Sequence, residues 1–262
     1  MFGPFRFIDR YNKNYPLISI FRTIGFVGDS MASGEQESLM NGEKGYNDYY
    51  EYSWGQFIAR DCGLTGYNFS KGGLTAKSWM DLNETEHFLC EEKKCQAYVI
   101  ALGENDIEKM DKEYPLGFGD ISDIDFNDKT KNKDSFIGWY ARIIQSIREL
   151  EPKARIFLLT CPKFIVETKQ RRTTHDRHQK IMHELAARFE FTYVLDLRKA
   201  SIPLDKGFNK TFCMGKHFTP QGYIYAAKLI EREMDRAIRK YNSDFMQVGF
   251  IGRDVHNEKY KW

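Results

Sequence analysis

The sequence predicts a three-layer α/β/α sandwich around a central, mainly parallel five-stranded sheet. Two observations carry that prediction: five short runs that are continuously apolar, and amphipathic stretches of helical period between them. Strands covered on both faces read as unbroken apolar runs, and alternation with helices implies right-handed crossovers.

The first strand is read at residues 22–30, "RTIGFVGDS", ending in a turn. "TGYNFSKGG" (65–73) supplies the second strand and turn, and "AYVIALGEND" (97–106) the third. "ARIFLLTCP" (154–162) and "TYVLDL" (192–197) supply the fourth and fifth. Residues 135–150 place Ile137, Tyr140, Ile143, Ile144 and Ile147 on one helical face. Residues 171–189 form a second helix, with Ile181, Leu185 and Phe189 at helical spacing, and residues 220–241 a last one, with Pro220 suited to its first turn. Two long segments, 31–52 and 107–134, read as irregular. Loops of that length in a compact domain are usually functional covers or mobile insertions. With no repeat and no composition shift, the chain reads as one domain over 1–262. It has an N-terminal extension (1–21), an insertion loop (107–134) and a tail (243–262) whose Phe245, Phe250, Tyr260 and Trp262 are expected to pack on the body.

At 262 residues, 42% of them hydrophobic, the chain can bury one substantial core. Lys+Arg of 39 against Asp+Glu of 37 leaves +2, which suggests neither nucleic acid nor an anionic membrane as partner. No apolar run approaches bilayer length, and the start lacks the pattern of a signal peptide, so a cytoplasmic protein is expected. An odd number of cysteines (Cys62, Cys90, Cys95, Cys161 and Cys213) points to reduced thiols acting as small hydrophobes.

Ligands of open parallel sheets gather outside the carboxyl ends of the strands. There the first strand delivers Ser30 in "GDS", the second Gly72–Gly73, and the third Asn105 in "GEND". His217 enters just before the last helix in "TFCMGKHFTPQGY". A hydroxyl, a bare backbone amide, a carboxamide and an imidazole at one edge suit acyl transfer. Ser30 attacks a carbonyl, His217 moves the proton, and the amides of Ser30 and Gly73 with the Asn105 carboxamide receive the oxyanion. Each piece alone is ordinary: "GDS" is a common turn, and Asn105 suits a helix cap. Their order and placement make the case.

In these blocks, "FVGDS", "NFSKGG", "ALGEND" and "GKHFTPQGY", the chain resembles the SGNH hydrolases of the GDSL esterase/lipase group. The resemblance implies a flavodoxin-like sandwich and hydrolysis of esters, thioesters or carbohydrate O-acyl groups without a metal, and no cofactor is expected. It also implies Ser30 as nucleophile, His217 as base, and Ser30, Gly73 and Asn105 as the oxyanion hole. Gly73 fits this better than Gly72 because it stands five residues after Asn68.

One position departs from the pattern. The family's last block usually reads Asp-x-x-His, the Asp orienting the imidazole; here that position is Met214. Methionine accepts a hydrogen bond only weakly. A Ser–His dyad with a substitute orienting group is therefore expected. A backbone carbonyl, a water or a carboxylate from elsewhere, Asp205 being near in sequence, are the choices.

The segment "GYNDYYEYSW" crowds aromatics behind the Ser30 turn. Tyr46, Tyr49 and Trp54 are candidates to stack on a sugar or wall an acyl pocket, with packing on the body the alternative. Segment 107–134 is read by position as a cover on the substrate side. His175, His178 and His183 fall on one helix without a metalloprotease motif and are expected on a solvated face. The resulting expectation is a serine esterase for short acyl groups, such as acetyl on a carbohydrate or small molecule. A lysophospholipase or thioesterase with a long apolar channel, and a degenerate hydrolase that binds acylated ligands, are the alternatives.

Overall fold

The computed structural model describes residues 16–163, 167–200 and 204–262. In chain order, β1 (Thr23–Gly28) leads into the short helix α1 (Ser30–Ser33) and a hairpin of β2 (Glu35–Met40) and β3 (Glu43–Asp48). Then follow α2 (Trp54–Cys62), β4 (Thr65–Ser70), α3 (Ala76–Glu86), β5 (Ala97–Ala101), α4 (Glu104–Glu108) and α5 (Met110–Glu113). After them come α6 (Phe136–Leu150), β6 (Arg155–Leu159), α7 (Lys169–Ala186), β7 (Thr192–Leu195), α8 (Leu197–Ala200) and α9 (Lys206–Phe212). A two-residue pair, β8 (Cys213–Met214) and β9 (His217–Phe218), precedes the last helix, α10 (Pro220–Lys240).

Five strands form one parallel sheet in the order β4-β1-β5-β6-β7. Successive side chains on a strand point to opposite faces, so each strand feeds two cores. Val27, Tyr98, Ile100 and Ile156 pack with α3, α6 and α7 through Trp79, Tyr140 and Ile181. Phe26, Val99, Phe157 and Leu195 pack on the other side with α2 and α10 through Ile58, Tyr223 and Met234. This is the three-layer α/β/α architecture read from the sequence. Side chains set the helix starts: Ser135 accepts from Gly138 N–H, and Thr219 from Gly222 N–H with Pro220 in the first turn. The strands end two to five residues earlier than the apolar runs suggest. Asp29–Ser30, Gly72–Gly73 and Asn105 therefore stand beyond the sheet, free to build a cleft.

Segment 31–52, expected to be irregular, is a hairpin. Its two-residue turn at Asn41 and Gly42 has φ of 53° and 81°, the left-handed pair that matches strand twist. Segment 107–134 carries α5 and two single-turn helices. It is fastened to the body by Lys77 to Asp134 (3.0 Å) and Asn132 Nδ2 to Gln145 Oε1 (2.7 Å). In the tail, Phe245 is buried against Phe21, Phe157 and Tyr193, whereas Phe250 and Tyr260 are exposed. Residues 1–15 of the expected N-terminal extension lie outside the described residues. All five cysteines are free, Cys95 and Cys161 buried. Among the described residues no helix is long and apolar enough to cross a membrane.

Candidate active site

Ser30, Gly73, Asn105 and His217 line one cleft of about 490 Å³ at the carboxyl edge of the sheet. Ser30 opens α1, whose N-cap is Asp29: the Asp29 carboxylate accepts the Met31 N–H at 3.0 Å. Asp29 is 4% exposed, and burial pushes its carboxyl up to about 7. Asn105 points its Nδ2 at Leu74 O (3.2 Å) and at Asp29 Oδ2 (3.4 Å), which ties the third strand's turn to the first. Asp106 braces the same turn by accepting from Ala76 N–H at 2.7 Å and from the Tyr114 hydroxyl.

The two glycines after β4 do different things. Gly73 has φ of 78°, a conformation that disfavours side chains, and no atom stands within 4 Å of where a Cβ would be. The space beside its Cα is open, and the residue lines the cleft. A Cβ at Gly72 would instead run into the Glu35 carboxylate.

His217 is 8% exposed and lies between two carboxylates. Its Nδ1 meets Glu37 Oε1 at 3.1 Å, and its Nε2 meets Glu35 Oε1 at 3.0 Å. Both acids come from β2. Residues i and i+2 of a strand share a face, so one strand flanks the ring on two sides. Tyr46, paired with Glu37 across the hairpin, sets its ring edge-on to the imidazole with centroids 5.9 Å apart. Glu37 Oε1 also accepts the Lys216 N–H at 2.6 Å. That amide is the main reason the Glu37 carboxyl sits below its ordinary value; burial opposes it, and His217 and Lys44 add to it. An ionised carboxylate only accepts, so Nδ1 carries the hydrogen. Glu35 is pushed the other way, by burial first, with Asp48 and Glu37 adding repulsion and His217 opposing. One proton must lie between Nε2 and Glu35, since two lone pairs at 3.0 Å would repel. Among the described residues no hydrogen bond joins Ser30 Oγ to His217.

Met214 is exposed and pairs with His217 across the β8–β9 turn. The turn needs Gly215: φ is 66°, and a Cβ there would strike the Glu37 carboxylate. Asp205 is elsewhere, capping α9 by accepting the Phe208 N–H at 2.6 Å. Sequence reasoning missed Glu37 and Glu35. The signal that would have found them is Asn41–Gly42, a hairpin signature that puts residues 35 and 37 on one face with Tyr46.

Of the aromatic candidates, Tyr46 lines the cleft. Tyr49 is half exposed away from its wall, and Trp54 is buried edge-on against Phe26. From segment 107–134 only Glu108 reaches the cleft. The histidines of α7 correct the expected solvated face. His175 and His178 are buried because this face packs over the turn that ends β5, while His183 is exposed. His178 Nε2–H donates to Leu102 O at 3.2 Å, and its ring fills the space a Cβ at Gly103 would need. Burial lowers His178 to about 4. His175 bridges Arg171 O (2.7 Å) and Glu104 Oε1 (3.0 Å). Glu104, Cys161 and His175 bring three possible metal-ligand atoms within 4.8 Å of one another. In that set both nitrogens of His175 are already engaged in hydrogen bonds.

Comparison with known proteins shows the family and the fold. The model of the GDSL-like lipase/acylhydrolase family matches residues 26–224, most of the chain. No curated protein matches by sequence. Among solved structures, a family two carbohydrate esterase from Clostridium thermocellum, in complex with cellohexaose, aligns with a TM-score of 0.57 at 17% identity. The alignment covers 85% of this chain and 65% of that one. An acetyl xylan esterase aligns with a TM-score of 0.52 at 17% identity, covering 82% and 99%. The lipase/acylhydrolase from Enterococcus faecalis gives 0.51 at 18% identity, covering 82% and 96%. At such identities the structures establish a shared fold, and the family model establishes the kinship. The chain belongs to the GDSL-like lipase/acylhydrolase family and is, with it, a hydrolase of ester bonds.

Proposed function

We propose that the protein is a serine esterase for short acyl groups, with Ser30 as nucleophile, His217 as general base and Glu37 as the residue that positions the base. The observation that carries this reading is the Glu37 Oε1 contact on His217 Nδ1 at 3.1 Å, in a cleft also lined by Ser30, Gly73 and Asn105. A buried carboxylate on Nδ1 holds the tautomer whose Nε2 can accept a proton and stabilises the imidazolium that results. Glu37 thus does from a distant strand what the family's usual aspartate does from position 214.

In the reaction, substrate entry moves Glu35 off Nε2 together with the proton that lay between them, which leaves Nε2 with a free lone pair. Ser30 Oγ then bonds to the acyl carbon while its proton passes to Nε2. Negative charge collects on the former carbonyl oxygen, facing the Ser30 and Gly73 amides and the Asn105 carboxamide. The carbon–oxygen bond to the alcohol breaks, and the leaving oxygen takes the proton from Nε2. Water repeats the sequence on the acyl-enzyme: its oxygen bonds to the acyl carbon, its proton passes through Nε2 to Ser30 Oγ, and the free acid departs. The half-exposed Tyr46 ring at the cleft suits stacking on a sugar, which makes carbohydrate O-acyl groups a favoured substrate class.

A fluorophosphonate and a p-nitrophenyl ester test this together. The expected result is labelling at Ser30 and ester turnover, both lost in Ser30→Ala. Absence of both in the wild type would overturn the catalytic reading in favour of an acyl-ligand binder.

A further inference from the structure

Beside the cleft lies a second, apolar cavity of about 110 Å³, between the carboxyl ends of β5 and β6 and the inner face of α10. Asp29, Met31, Glu104, Pro162, Leu204 and Phe218 line both spaces, so the two share one wall. Asp29 and Met31 are the neighbours of Ser30, and Phe218 is the neighbour of His217. The cavity therefore adjoins the cleft beside the turns that carry Ser30 and His217. Its floor is Leu159, Leu197, Ala226, Leu229 and Ile230, with Trp54 at the side. Trp54 thus turns away from the cleft to close this cavity.

We propose that this cavity receives the acyl chain of the substrate and sets its length at four to five carbons. The inference rests on the esterase reading and adds the chain specificity of the same site. An apolar cavity of about 150 Å³ stays dry and accepts benzene, six carbons in all. By the same measure, about 110 Å³ holds four or five carbons and leaves an eight-carbon chain protruding. An acetyl group leaves most of the space unfilled. Each methylene transferred from water into such a lining favours the transition state about four-fold. Butyryl, with two more methylenes than acetyl, gains about fifteen-fold in kcat/KM. A long-chain lysophospholipase would need a channel several times larger.

The test is an acyl series of p-nitrophenyl acetate, butyrate, pentanoate and octanoate on the wild type, Ala226→Val and Ala226→Leu. Residue 226 lies on the inner face of α10, so the larger side chains fill the cavity in two steps. The expected wild-type profile peaks at butyrate or pentanoate and falls at octanoate. The expected variants lose the peak progressively, with butyrate and pentanoate falling relative to acetate. Thermal melting confirms that they fold, and Ala226→Val covers the case in which leucine overpacks. A wild-type profile that falls steadily from acetate, or a peak unmoved in both folded variants, overturns the proposal. If no ester is turned over above the Ser30→Ala background, the esterase reading has failed instead. The cavity is then read by titrating pentanoate into Ser30→Ala and following the methyl resonances of Leu159, Leu229 and Ile230. Saturable shifts that vanish on adding Ala226→Leu support the pocket, and their absence overturns it.

Discussion

Glu37→Ala and Glu37→Gln separate two services that one carboxylate supplies to His217. Oε1 accepts both the Lys216 N–H (2.6 Å) and His217 Nδ1–H (3.1 Å), while Oε2 faces only the exposed Lys44 ammonium at 3.4 Å. Glutamine can keep its carbonyl oxygen at the Oε1 position and turn its amide nitrogen toward Lys44, which is free to swing away. The ring orientation then survives, and only the charge opposite the imidazolium is lost. For charge centres about 4 Å apart at an effective dielectric of about 20, that charge is worth at most about 4 kcal/mol, or about three decades in rate. Relaxation by neighbouring dipoles brings the expected loss in Glu37→Gln to about 10²-fold in kcat. Alanine removes charge and orientation together, and removal of the corresponding aspartate in a well-studied serine protease costs about 3 × 10⁴-fold. Stopped-flow turnover of p-nitrophenyl butyrate should thus rank wild type above Gln above Ala, with KM nearly constant. Formate, small enough to occupy the vacated space, should restore part of the Ala activity. Activity within ten-fold of wild type in a folded Glu37→Ala, or an Ala variant faster than Gln, would refute the positioning role.

Three further outcomes follow from the same geometry. Glu35→Ala frees Nε2 from a largely buried hydrogen bond worth about 1 kcal/mol net, so fluorophosphonate labelling of Ser30 should quicken about five-fold; a ten-fold slowing would mean that Glu35 assists the reaction. Asn105→Ala removes one oxyanion donor and should lower kcat about 10²- to 10³-fold with little change in KM, and an unchanged kcat would take Asn105 out of the hole. Asp29 has a folded pKa of about 7 against an ordinary 3.8, so its contribution to stability is complete below about pH 4 and declines as pH rises toward 7. Asp29→Asn removes that decline while preserving a cap on Met31. The difference in Tm, variant minus wild type, should therefore grow between pH 4.5 and 7.5 and then level off; a pH-independent difference would place the carboxyl outside its buried setting.

The sheet was legible because its strands are covered on both faces. Runs such as Tyr98–Ile100 and Ile156–Leu158 have no polar face to hide, and every strand read from them is present. The Ser30, Gly73, Asn105 and His217 blocks were legible for a related reason: each stands where a strand or turn ends, and topology brings those ends together. The β2–β3 hairpin was not legible as a strand pair because it is largely exposed and polar. Its period of two lies in Glu35 and Glu37 opposite Asp48 and Tyr46, not in alternating hydrophobes. His175 and His178 misled for the opposite reason. A helix written in Arg, Thr, Lys and His looks solvated, yet one face closes over the turn after β5. There the Leu102 carbonyl and Glu104 carboxylate supply hydrogen-bond partners that sequence spacing cannot display.

With Glu37 as the proposed orienting carboxylate, in place of a residue at position 214, the site depends on different contacts. A carboxylate three residues before the histidine would be carried by the same turn, so local structure alone would set it. Glu37 is 180 residues away in sequence and reaches His217 only when β2 packs against β9. Two features hold it there: the Tyr223 hydroxyl donates to Glu35 O at 2.6 Å, and Gly34, at φ of 78°, turns the chain tightly beneath Tyr49. The rest of the hairpin stands in solvent, its turn and most of β3 exposed. Elements with few buried contacts open at lower free energy than the core. Opening this one would release both carboxylates from the imidazole at once, while Ser30, Gly73 and Asn105 stayed on the sheet. On the proposed reading, the competence of His217 is tied to the least buried strand pair among the described residues, and the turn that carries Met214 is relieved of the orienting task.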